Sequence, residues 1–322
     1  MQDKHNTLIL DIALLTIVSA GLFSFLTLPR EDKNRSSVSA VAMSAEVSQT
    51  EIYEEKTDPF KDISLEAKAA IVYDTLNDEV LYALNENTSL PLASLTKVMT
   101  AMTALSLIPD YTIIPIEKSF LEMEGDNGLY VDEKWLLRDL IDFTLMTSSN
   151  DGARAIATVA GRIVANTEDS IEGRTEFLAR MNKKAKDLNL TRTFFLNENG
   201  LDESRNLPGA YGSAKDMAVL FWEAFTKHPS VFGVTREENV VITSLDKIQH
   251  NISNTNKAVN SIPRLMGSKT GFTELAGGNL VFAIDAGFKH PVIVVILGST
   301  PAGRFEDAEK LAWAALQGLS QK

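Results

Sequence analysis

Hydrophobic and polar positions follow two different periods along this chain. Apolar and polar residues alternate over residues 68–73 and 79–84, which predicts two β-strands around a turn at Asn77-Asp78. The spacing then becomes helical up to about residue 230, and it returns to a strand pattern after residue 254. The predicted helices cover residues 98–105, 135–146, 152–162, 177–188, 216–225 and 305–319, and the later strands cover 265–271, 279–286 and 292–298.

Two strands, a helical block, three strands and a closing helix make an α+β layout. We expect one antiparallel five-stranded sheet flanked by helices, with an all-helical lobe inserted over roughly residues 95–230. The folded domain is predicted to cover residues 63–322. A cleft between the sheet and the lobe is where a site would form.

The first 62 residues differ from the rest in composition. Residues 12–28 carry no charge and are mostly apolar, which is close to the ~20 residues that span a bilayer. Residues 1–28 are therefore predicted to be a membrane anchor or signal segment, and the polar residues 29–62 a flexible stalk. Ala40-Val41-Ala42 has the form of a cleavage site but lies far beyond the apolar run, so cleavage stays open.

We expect the folded domain to lie outside the cytoplasm, held at the cell membrane by this single span, or secreted if the segment is cleaved. The flanking charges oppose this orientation. Lys4 precedes the span while Arg30, Lys33 and Arg35 follow it, and positive charges usually stay inside. The expectation rests instead on the chemistry of the folded domain.

Composition excludes several classes of function. The net charge is −12, whereas a nucleic-acid surface would be basic, so no nucleic-acid partner is expected. The chain has no cysteine, which excludes a thiol nucleophile, a thiolate metal site and disulfides. None of the histidines is paired at metal-ligand spacing, so we expect neither a metal nor another cofactor. They are His5, His228, His250 and His290.

Three short strings carry candidate chemistry in one order along the chain. They are Ser94-Leu95-Thr96-Lys97, Ser148-Ser149-Asn150 and Lys269-Thr270-Gly271. Together they offer a hydroxyl nucleophile, a lysine base, a second hydroxyl with an amide, and a cationic strand. A serine acyl-transfer enzyme without a catalytic histidine needs this set.

Two of these short patterns, Ser-x-x-Lys and Ser-x-Asn, occur a second time in the chain by chance. The surrounding sequence must therefore decide which copy is the candidate site. Ser244-Leu245-Asp246-Lys247 lies in a β-rich stretch with no helix after it, and Ser204-Arg205-Asn206 lies in a loop-like segment. Ser94 instead opens a helical run, so its backbone lies at the positive end of the helix dipole. Lys97, three residues later, shares its helix face.

A serine hydroxyl is a poor nucleophile at neutral pH and needs a base. Lys97 can serve only when uncharged, so its pKa must fall from ~10.4 towards ~7–8. We expect burial to lower this pKa in part. We expect the charge of Lys269, a second cation arriving from the sheet, to lower it further.

With these residues the chain resembles the serine D-alanyl-D-alanine carboxypeptidases, which are low-molecular-weight penicillin-binding proteins related to β-lactamases. The resemblance covers residues 63–322 and implies a β-lactamase/transpeptidase-like fold. It also implies that peptidoglycan stem peptides are the substrate and that β-lactam antibiotics are acylating inhibitors. Besides the three motifs it includes Asn199-Gly200-Leu201-Asp202, Ser213-Ala214-Lys215-Asp216-Met217-Ala218, Asn254-Thr255-Asn256 and Ala276-Gly277-Gly278-Asn279-Leu280.

The resemblance assigns catalytic roles to four residues. Ser94 would attack the carbonyl of a D-Ala-D-Ala bond, and Lys97 would accept the hydroxyl proton. Ser148 would relay a proton to the leaving amine. Asn150 would hold the substrate amide and orient Lys97.

Substrate binding is expected from the last motif and its surroundings. Lys269 and Thr270 would bind the terminal carboxylate, and Arg304 is a further candidate for it because a guanidinium suits that shape. Gly271 would let backbone and substrate approach closely. The N–H of Phe272, with that of the nucleophile, would form the oxyanion hole.

Three alternatives stay open. Family members often carry a further β-rich domain, whereas this chain ends at Lys322, so D,D-endopeptidase action on cross-linked peptidoglycan competes with carboxypeptidase action. A class A-like β-lactamase would need a Glu followed four residues later by Asn, and no Glu between Asn150 and Lys269 has that spacing. A non-catalytic penicillin-binding sensor is the last alternative, and the intact Ser94 and Lys97 argue against it.

Overall fold

The computed structural model of this protein describes residues 58–125 and 128–321. Within these ranges the strands are β1 Ala69–Asp74, β2 Glu79–Leu84, β3 Leu90–Pro91, β4 Ile113–Pro115, β5 Lys134–Leu136, β6 Phe194–Phe195, β7 Ala210–Gly212, β8 Asn239–Thr243, β9 Gln249–Ser253, β10 Leu265–Thr273, β11 Gly277–Asp285 and β12 Pro291–Ser299. The α-helices are α1 Thr96–Leu107, α2 Leu137–Thr147, α3 Asn150–Ala165, α4 Ser170–Asp187, α5 Ala214–Lys227, α6 Pro229–Gly233 and α7 Gly303–Ser320.

The largest sheet in the described part of the chain has five strands in the order β10-β11-β12-β1-β2. Every neighbouring pair is antiparallel. Its central strand, β12, is apolar almost throughout, because a strand that is covered on both faces needs no polar side. The predicted α+β class with one antiparallel five-stranded sheet is confirmed.

Two cores cover the two faces of this sheet. Successive side chains of a strand point to opposite faces, so alternate residues of β12 enter different cores. One set packs with α7, and it comprises Val292, Val294 and Ile296. The other set packs in the larger core with the helical block, and it comprises Ile293, Val295 and Leu297. Each buried side chain of this size contributes about 1.5–3 kcal/mol, so the run of six holds the three layers together.

Local capping residues set the starts of several helices. The Ser149 side chain accepts from the Gly152 N–H at the start of α3, and that of Ser213 accepts from the Asp216 N–H at the start of α5. Asp169 accepts two backbone N–H groups at the start of α4. Such caps satisfy backbone donors that have no partner within the helix.

Two local predictions were incomplete or wrong. Trp135 and Leu136 were predicted as helix, but they belong to β5 and pair with β4, because Trp135 lies opposite Ile114. The β-rich stretch before Ser244 pairs with a second strand, β9, whose polar sequence gave no strand signal. In both cases pairing with a neighbouring segment overrides local preference.

The predicted anchor at residues 1–28 and the predicted stalk up to residue 57 lie outside the described residues. Residues 58–62, at the end of the predicted stalk, form turns. There the ring of Phe60 stacks on that of Tyr82, with centroids 5.5 Å apart. Across the described ranges no helix is long and apolar enough to cross a membrane.

Candidate active site

Ser94 lies in a 3₁₀ turn, Ala93–Leu95, that runs directly into α1. The residue before it, Ala93, has a φ of 49°, which is uncommon for a residue with a side chain. Such a conformation persists where surrounding contacts hold it. Asn279 on β11 supplies two of them, because its Nδ2 donates to the carbonyl oxygens of Pro91 (2.9 Å) and Leu92 (3.1 Å).

Lys97 lies one turn after Ser94 and is only 1% exposed. Its Nζ donates to Ser94 Oγ at 2.9 Å, to Asn150 Oδ1 at 2.7 Å and to the carbonyl oxygen of Asn199 at 2.7 Å. The structure therefore brings the predicted nucleophile, base and orienting amide into direct contact.

Burial lowers the pKa of Lys97 from 10.5 to about 7. The cause is desolvation, which disfavours the ammonium form. The negative charge of Glu198 acts in the opposite direction and raises the pKa, but it is the smaller effect. A lysine with a pKa near neutrality can accept a proton at physiological pH.

The second motif forms the corner between α2 and α3. Ser148 ends α2 in a left-handed conformation with a φ of 61°. The middle residue, Ser149, caps α3 and is fully buried, so its role is structural. Asn150 accepts from Lys97 through Oδ1 and donates through Nδ2 to the carbonyl oxygen of Glu124 at 2.8 Å.

The third motif lies on β10, at the edge of the sheet. Lys269 is 2% exposed, and its Nζ donates to Ser148 Oγ at 2.9 Å and to the carbonyl oxygen of Thr270 at 2.8 Å. The hydroxyl of Thr270 lies 2.6 Å from that of Thr255. The second and third motifs are thus joined by a direct hydrogen bond.

The expected repulsion between Lys97 and Lys269 is present, and its effect falls on the pKa of Lys269. Burial lowers the pKa of Lys97, whereas the pKa of Lys269 itself falls well below its usual value. The causes for Lys269 are burial first, then repulsion from Lys97 and Arg304. A carboxylate bound beside Lys269 would favour its ammonium form again.

Gly271 lies where β10 passes the turn that carries the nucleophile. A Cβ at this position would lie 2.9 Å from the carbonyl oxygen of Leu92 and 3.2 Å from the Ser94 nitrogen. The next residue, Phe272, exposes 46% of its surface. The absence of a side chain at Gly271 therefore lets the strand lie against the Ser94 turn.

Arg304, in the first turn of α7, reaches the same strand. Its Nη1 donates to the carbonyl oxygen of Gly271 at 2.7 Å, and its guanidinium lies 4.7 Å from the ring centre of Phe305. Burial lowers the pKa of this guanidinium. The structure thus places Arg304 at the backbone of the third motif.

Sequence reasoning assigned no role to several residues that build this site. Asn199 contributes a backbone carbonyl, Thr255 a hydroxyl and Asn279 an amide that holds the nucleophile turn. Each lies in a string that the sequence shares with the family. Their roles carry no local signal, because each contact joins segments that are far apart in the chain.

The two chance copies lie in turns. Ser244 lies between β8 and β9, where its Oγ accepts from the Ile248 N–H at 3.3 Å. Ser204 forms an isolated bridge with Leu207. Neither serine begins a helix, in line with the expectation from their surroundings.

Over the part of the chain that the structure describes, no three His, Cys, Asp or Glu side chains cluster in a way that could hold a metal ion. Two histidines instead face single carboxylates. His250 Nε2 lies 2.7 Å from Glu133 Oε1, and His290 Nε2 lies 2.5 Å from Asp74 Oδ1.

A serine that is hydrogen-bonded to a buried, near-neutral lysine is the arrangement of Ser–Lys acyl-transfer enzymes, a variant of the serine triad. The sequence profile described as D-alanyl-D-alanine carboxypeptidase matches residues 54–300. The chain belongs to the D-alanyl-D-alanine carboxypeptidase family.

Individual relatives agree with this assignment. The chain is 29% identical over 261 residues to D-alanyl-D-alanine carboxypeptidase DacF of Bacillus subtilis (strain 168), which covers 78% of this chain and 62% of that relative. It is 30% identical over 254 residues to D-alanyl-D-alanine endopeptidase of Pseudomonas aeruginosa, covering 77% of this chain and 76% of the relative. The chain thus spans less than two thirds of the length of DacF.

A solved structure shares the fold. The crystal structure of Penicillin-Binding Protein D2 from Listeria monocytogenes, in the ampicillin-bound form, matches with a TM-score of 0.66 at 29% sequence identity. The match covers 79% of this chain and 98% of that protein. The β-lactamase/transpeptidase-like fold expected from the sequence is thereby confirmed.

Proposed function

We propose that this protein is a serine D-Ala-D-Ala carboxypeptidase that trims peptidoglycan stem peptides through an acyl-serine intermediate. One observation carries the proposal: the Nζ of Lys97, with a pKa of about 7, lies 2.9 Å from Ser94 Oγ. A neutral amine at this distance can accept the hydroxyl proton. Membership of the family and the name of the DacF relative support the choice of substrate.

In the acylation step, Ser94 Oγ attacks the carbonyl carbon of the D-Ala-D-Ala bond while neutral Lys97 accepts its proton. The carbonyl oxygen becomes an oxyanion, which the N–H groups of Ser94 and Phe272 would stabilise. The close approach of Gly271 to the Ser94 nitrogen supports this pairing. Collapse of this tetrahedral intermediate breaks the C–N bond. The leaving amine takes the proton that Lys97 accepted, relayed through Ser148, so Lys97 is neutral again.

The terminal carboxylate of the peptide is proposed to bind beside Lys269 and Thr270. Lys269 would then become charged, because a bound anion stabilises its ammonium form. Arg304 from α7 adds a second cation beside this strand. Asn150 would orient Lys97 through its oxygen and face the substrate amide.

Hydrolysis of the acyl-serine completes the reaction. A water molecule attacks the ester carbonyl and Lys97 accepts its proton. Lys97 then gives this proton to Ser94 Oγ as the ester C–O bond breaks, which restores the free hydroxyl. β-Lactams are proposed to acylate Ser94 in the same way, because their amide carbonyl can be attacked, and the Listeria relative is known in an ampicillin-bound form. Slow hydrolysis of the penicillin adduct is expected, because no Glu between Asn150 and Lys269 is followed four residues later by Asn, the spacing that a class A-like β-lactamase would need.

A stem pentapeptide ending in D-Ala-D-Ala tests the proposal. The full chain should release one D-alanine, seen by mass spectrometry as loss of a single alanine residue. Ser94→Ala should abolish release, and Ser244→Ala, in the other Ser-x-x-Lys string, should not. Rapid turnover of penicillin would favour the β-lactamase alternative. No release and no labelling of Ser94 by a fluorescent penicillin would favour the non-catalytic sensor.

D,D-endopeptidase action is the second candidate. The Pseudomonas aeruginosa relative is named an endopeptidase, and this chain spans 76% of its length. Cross-linked muropeptide dimers separate the two activities. Conversion of dimers into monomers would show endopeptidase action, whereas loss of one alanine from uncross-linked pentapeptides alone would show carboxypeptidase action.

The acylation rate of Ser94 should rise with pH through about 7. Lys97 acts as a base only when neutral, and its pKa is about 7, so below that value the rate should fall about tenfold per pH unit. The second-order rate constant for a fluorescent penicillin, measured from pH 5 to 9, gives this profile. A flat profile across this range would show that Lys97 is not the base.

We propose that the N-terminal segment holds the catalytic domain at the outer face of the cell membrane. Residues 12–28 carry no charge, and the proposed substrate is extracytoplasmic. Cell fractionation with protease added from outside tests this. Recovery of the protein from the medium would show that the segment is cleaved, and protection from the protease would contradict the orientation.

A further inference from the structure

A buried ionic cluster outside the three motifs lies behind the base. At its centre is Glu198, which is 3% exposed and follows β6. Arg154 from α3 places its Nε 3.1 Å from Glu198 Oε1. Arg174 from α4 donates from Nη2 to Glu198 Oε2 at 3.0 Å. One carboxylate thus joins two helices and the segment that follows β6.

This cluster is tied to the base through the backbone. The carbonyl oxygen of Glu198 accepts from Thr100 Oγ1 at 2.6 Å, on the helix that carries Lys97. The next carbonyl, that of Asn199, accepts from Lys97 Nζ at 2.7 Å. A displacement of Glu198 would therefore move an acceptor of the base directly.

The cluster also acts on the base through its charge. Burial favours neutral Lys97, and the carboxylate of Glu198 partly opposes this by raising the pKa of Lys97. Two arginines bound to one carboxylate reduce its field at the lysine, because their positive charges offset it.

We propose that Glu198, held by Arg154 and Arg174, is a positioning residue that fixes the Asn199 carbonyl against Lys97 and sets the pH range in which Lys97 is neutral. This inference rests on the proposed role of Lys97 as the base. It does not depend on which peptide the enzyme cleaves.

Other charged groups face this region, and they are unchanged by substitutions at Glu198, Arg154 or Arg174. Repulsion between Lys97 and Lys269 reaches the site from β10, where Arg304 also acts on Lys269. The negative charges of Glu122 and Glu203 raise the pKa of Arg154. Because these groups stay in place, a change at Glu198 or at one of its arginines reports on the cluster itself.

Two substitutions should shift the pKa of Lys97 in opposite directions. Glu198→Gln keeps the shape of the side chain but removes its negative charge. The acid limb of the pH profile, where the acylation rate of Ser94 rises with pH, should therefore shift to lower pH by about one unit. Arg174→Met removes a positive charge near the carboxylate, so the limb should shift to higher pH by about one unit. Merely structural damage would lower the rate without moving the limb in two directions.

The measurement is the rate of Ser94 labelling by a fluorescent penicillin from pH 5 to 9, with the full chain. Arg180→Gln is the matched control, because Arg180 lies on the same helix as Arg174 but is exposed and pairs with Glu176 one turn away, so the pH dependence of labelling should stay unchanged. An NMR titration of lysines labelled with ¹³C at Cε reports the protonation of Lys97 independently of labelling.

The outcomes are distinct. Opposite shifts in both measurements support the inference, even if no peptide is cleaved. Unshifted limbs in both variants, or shifts in one direction only, overturn it. If Glu198→Gln does not fold, as judged by thermal unfolding, Arg174→Met decides alone, because a purely structural ion pair predicts an unshifted titration of Lys97.

Discussion

Replacing Lys97 by methionine should slow acylation of Ser94 by about 10²–10⁴-fold, the usual contribution of a general base. The lysine Nζ lies 2.9 Å from Ser94 Oγ, and methionine fills a similar volume without a proton acceptor of comparable basicity. The rate constant for penicillin labelling measures the loss. Lys183→Met, at an exposed lysine of α4, is the control and should label at the wild-type rate.

The same substitution should change how stability depends on pH. In the wild type the unfolded chain binds a proton at Lys97 that the folded state loses above about pH 7, so stability rises with pH between about 7 and 10.5. Methionine binds no proton. The stability of the variant relative to the wild type should therefore decrease by about 4 kcal/mol between pH 7 and pH 10.

Urea unfolding of both proteins at pH 7 and pH 10 gives this difference. Most other titratable groups are common to both proteins and largely cancel. A difference in unfolding free energy that does not vary with pH would show that Lys97 has an ordinary pKa in the folded state. Labelling of Lys97→Met within tenfold of the wild-type rate would show that another group accepts the proton of Ser94.

Replacing Gly200 by alanine should reduce the free energy of unfolding by about 2–5 kcal/mol and also impair acylation. Gly200 has a φ of 85°, where an L-residue is strained. The added Cβ would lie 1.9 Å from the Ala93 carbonyl oxygen and 2.7 Å from Thr96 Oγ1. The turn that presents Ser94 would have to move.

Gly233→Ala is the matched control for this prediction. Gly233 has a helical backbone and no atom within 4 Å of an added Cβ, so alanine should leave stability unchanged or raise it by up to about 1 kcal/mol. Urea unfolding and the rate of penicillin labelling are measured for both variants. Wild-type stability and labelling in Gly200→Ala would contradict the contact between Gly200 and the Ser94 turn.

Local patterns were enough to predict much of the fold. Residues 292–298 are almost entirely apolar and of strand length, and residues 216–225 repeat with a helical period, so each segment signals its own structure. The short strand at Trp135 was mistaken for helix because its partner at Ile114 lies outside any local window.

In the candidate site, too, some contacts could be predicted from local sequence and others could not. The contact between Ser94 and Lys97 could be predicted, because residues three apart share one face of a helix. The bond from Lys269 to Ser148 joins residues 121 apart in the chain, and that from Lys97 to the Asn199 carbonyl joins residues 102 apart. The motifs placed Lys269 and Ser148 in one site but did not predict their hydrogen bond. Nothing in the motifs indicated the hydrogen bond from Lys97 to the Asn199 carbonyl.

The chain by itself determined which reactive groups exist, their order, and the helix face that Ser94 and Lys97 share. Folding in three dimensions decided their protonation, because the pKa of Lys97 depends on desolvation by segments from the whole domain. It also decided that Glu198, Arg154 and Arg174 meet behind the base. Backbone periodicity acts between neighbours in sequence, whereas desolvation and long-range ion pairs arise only when the core has packed.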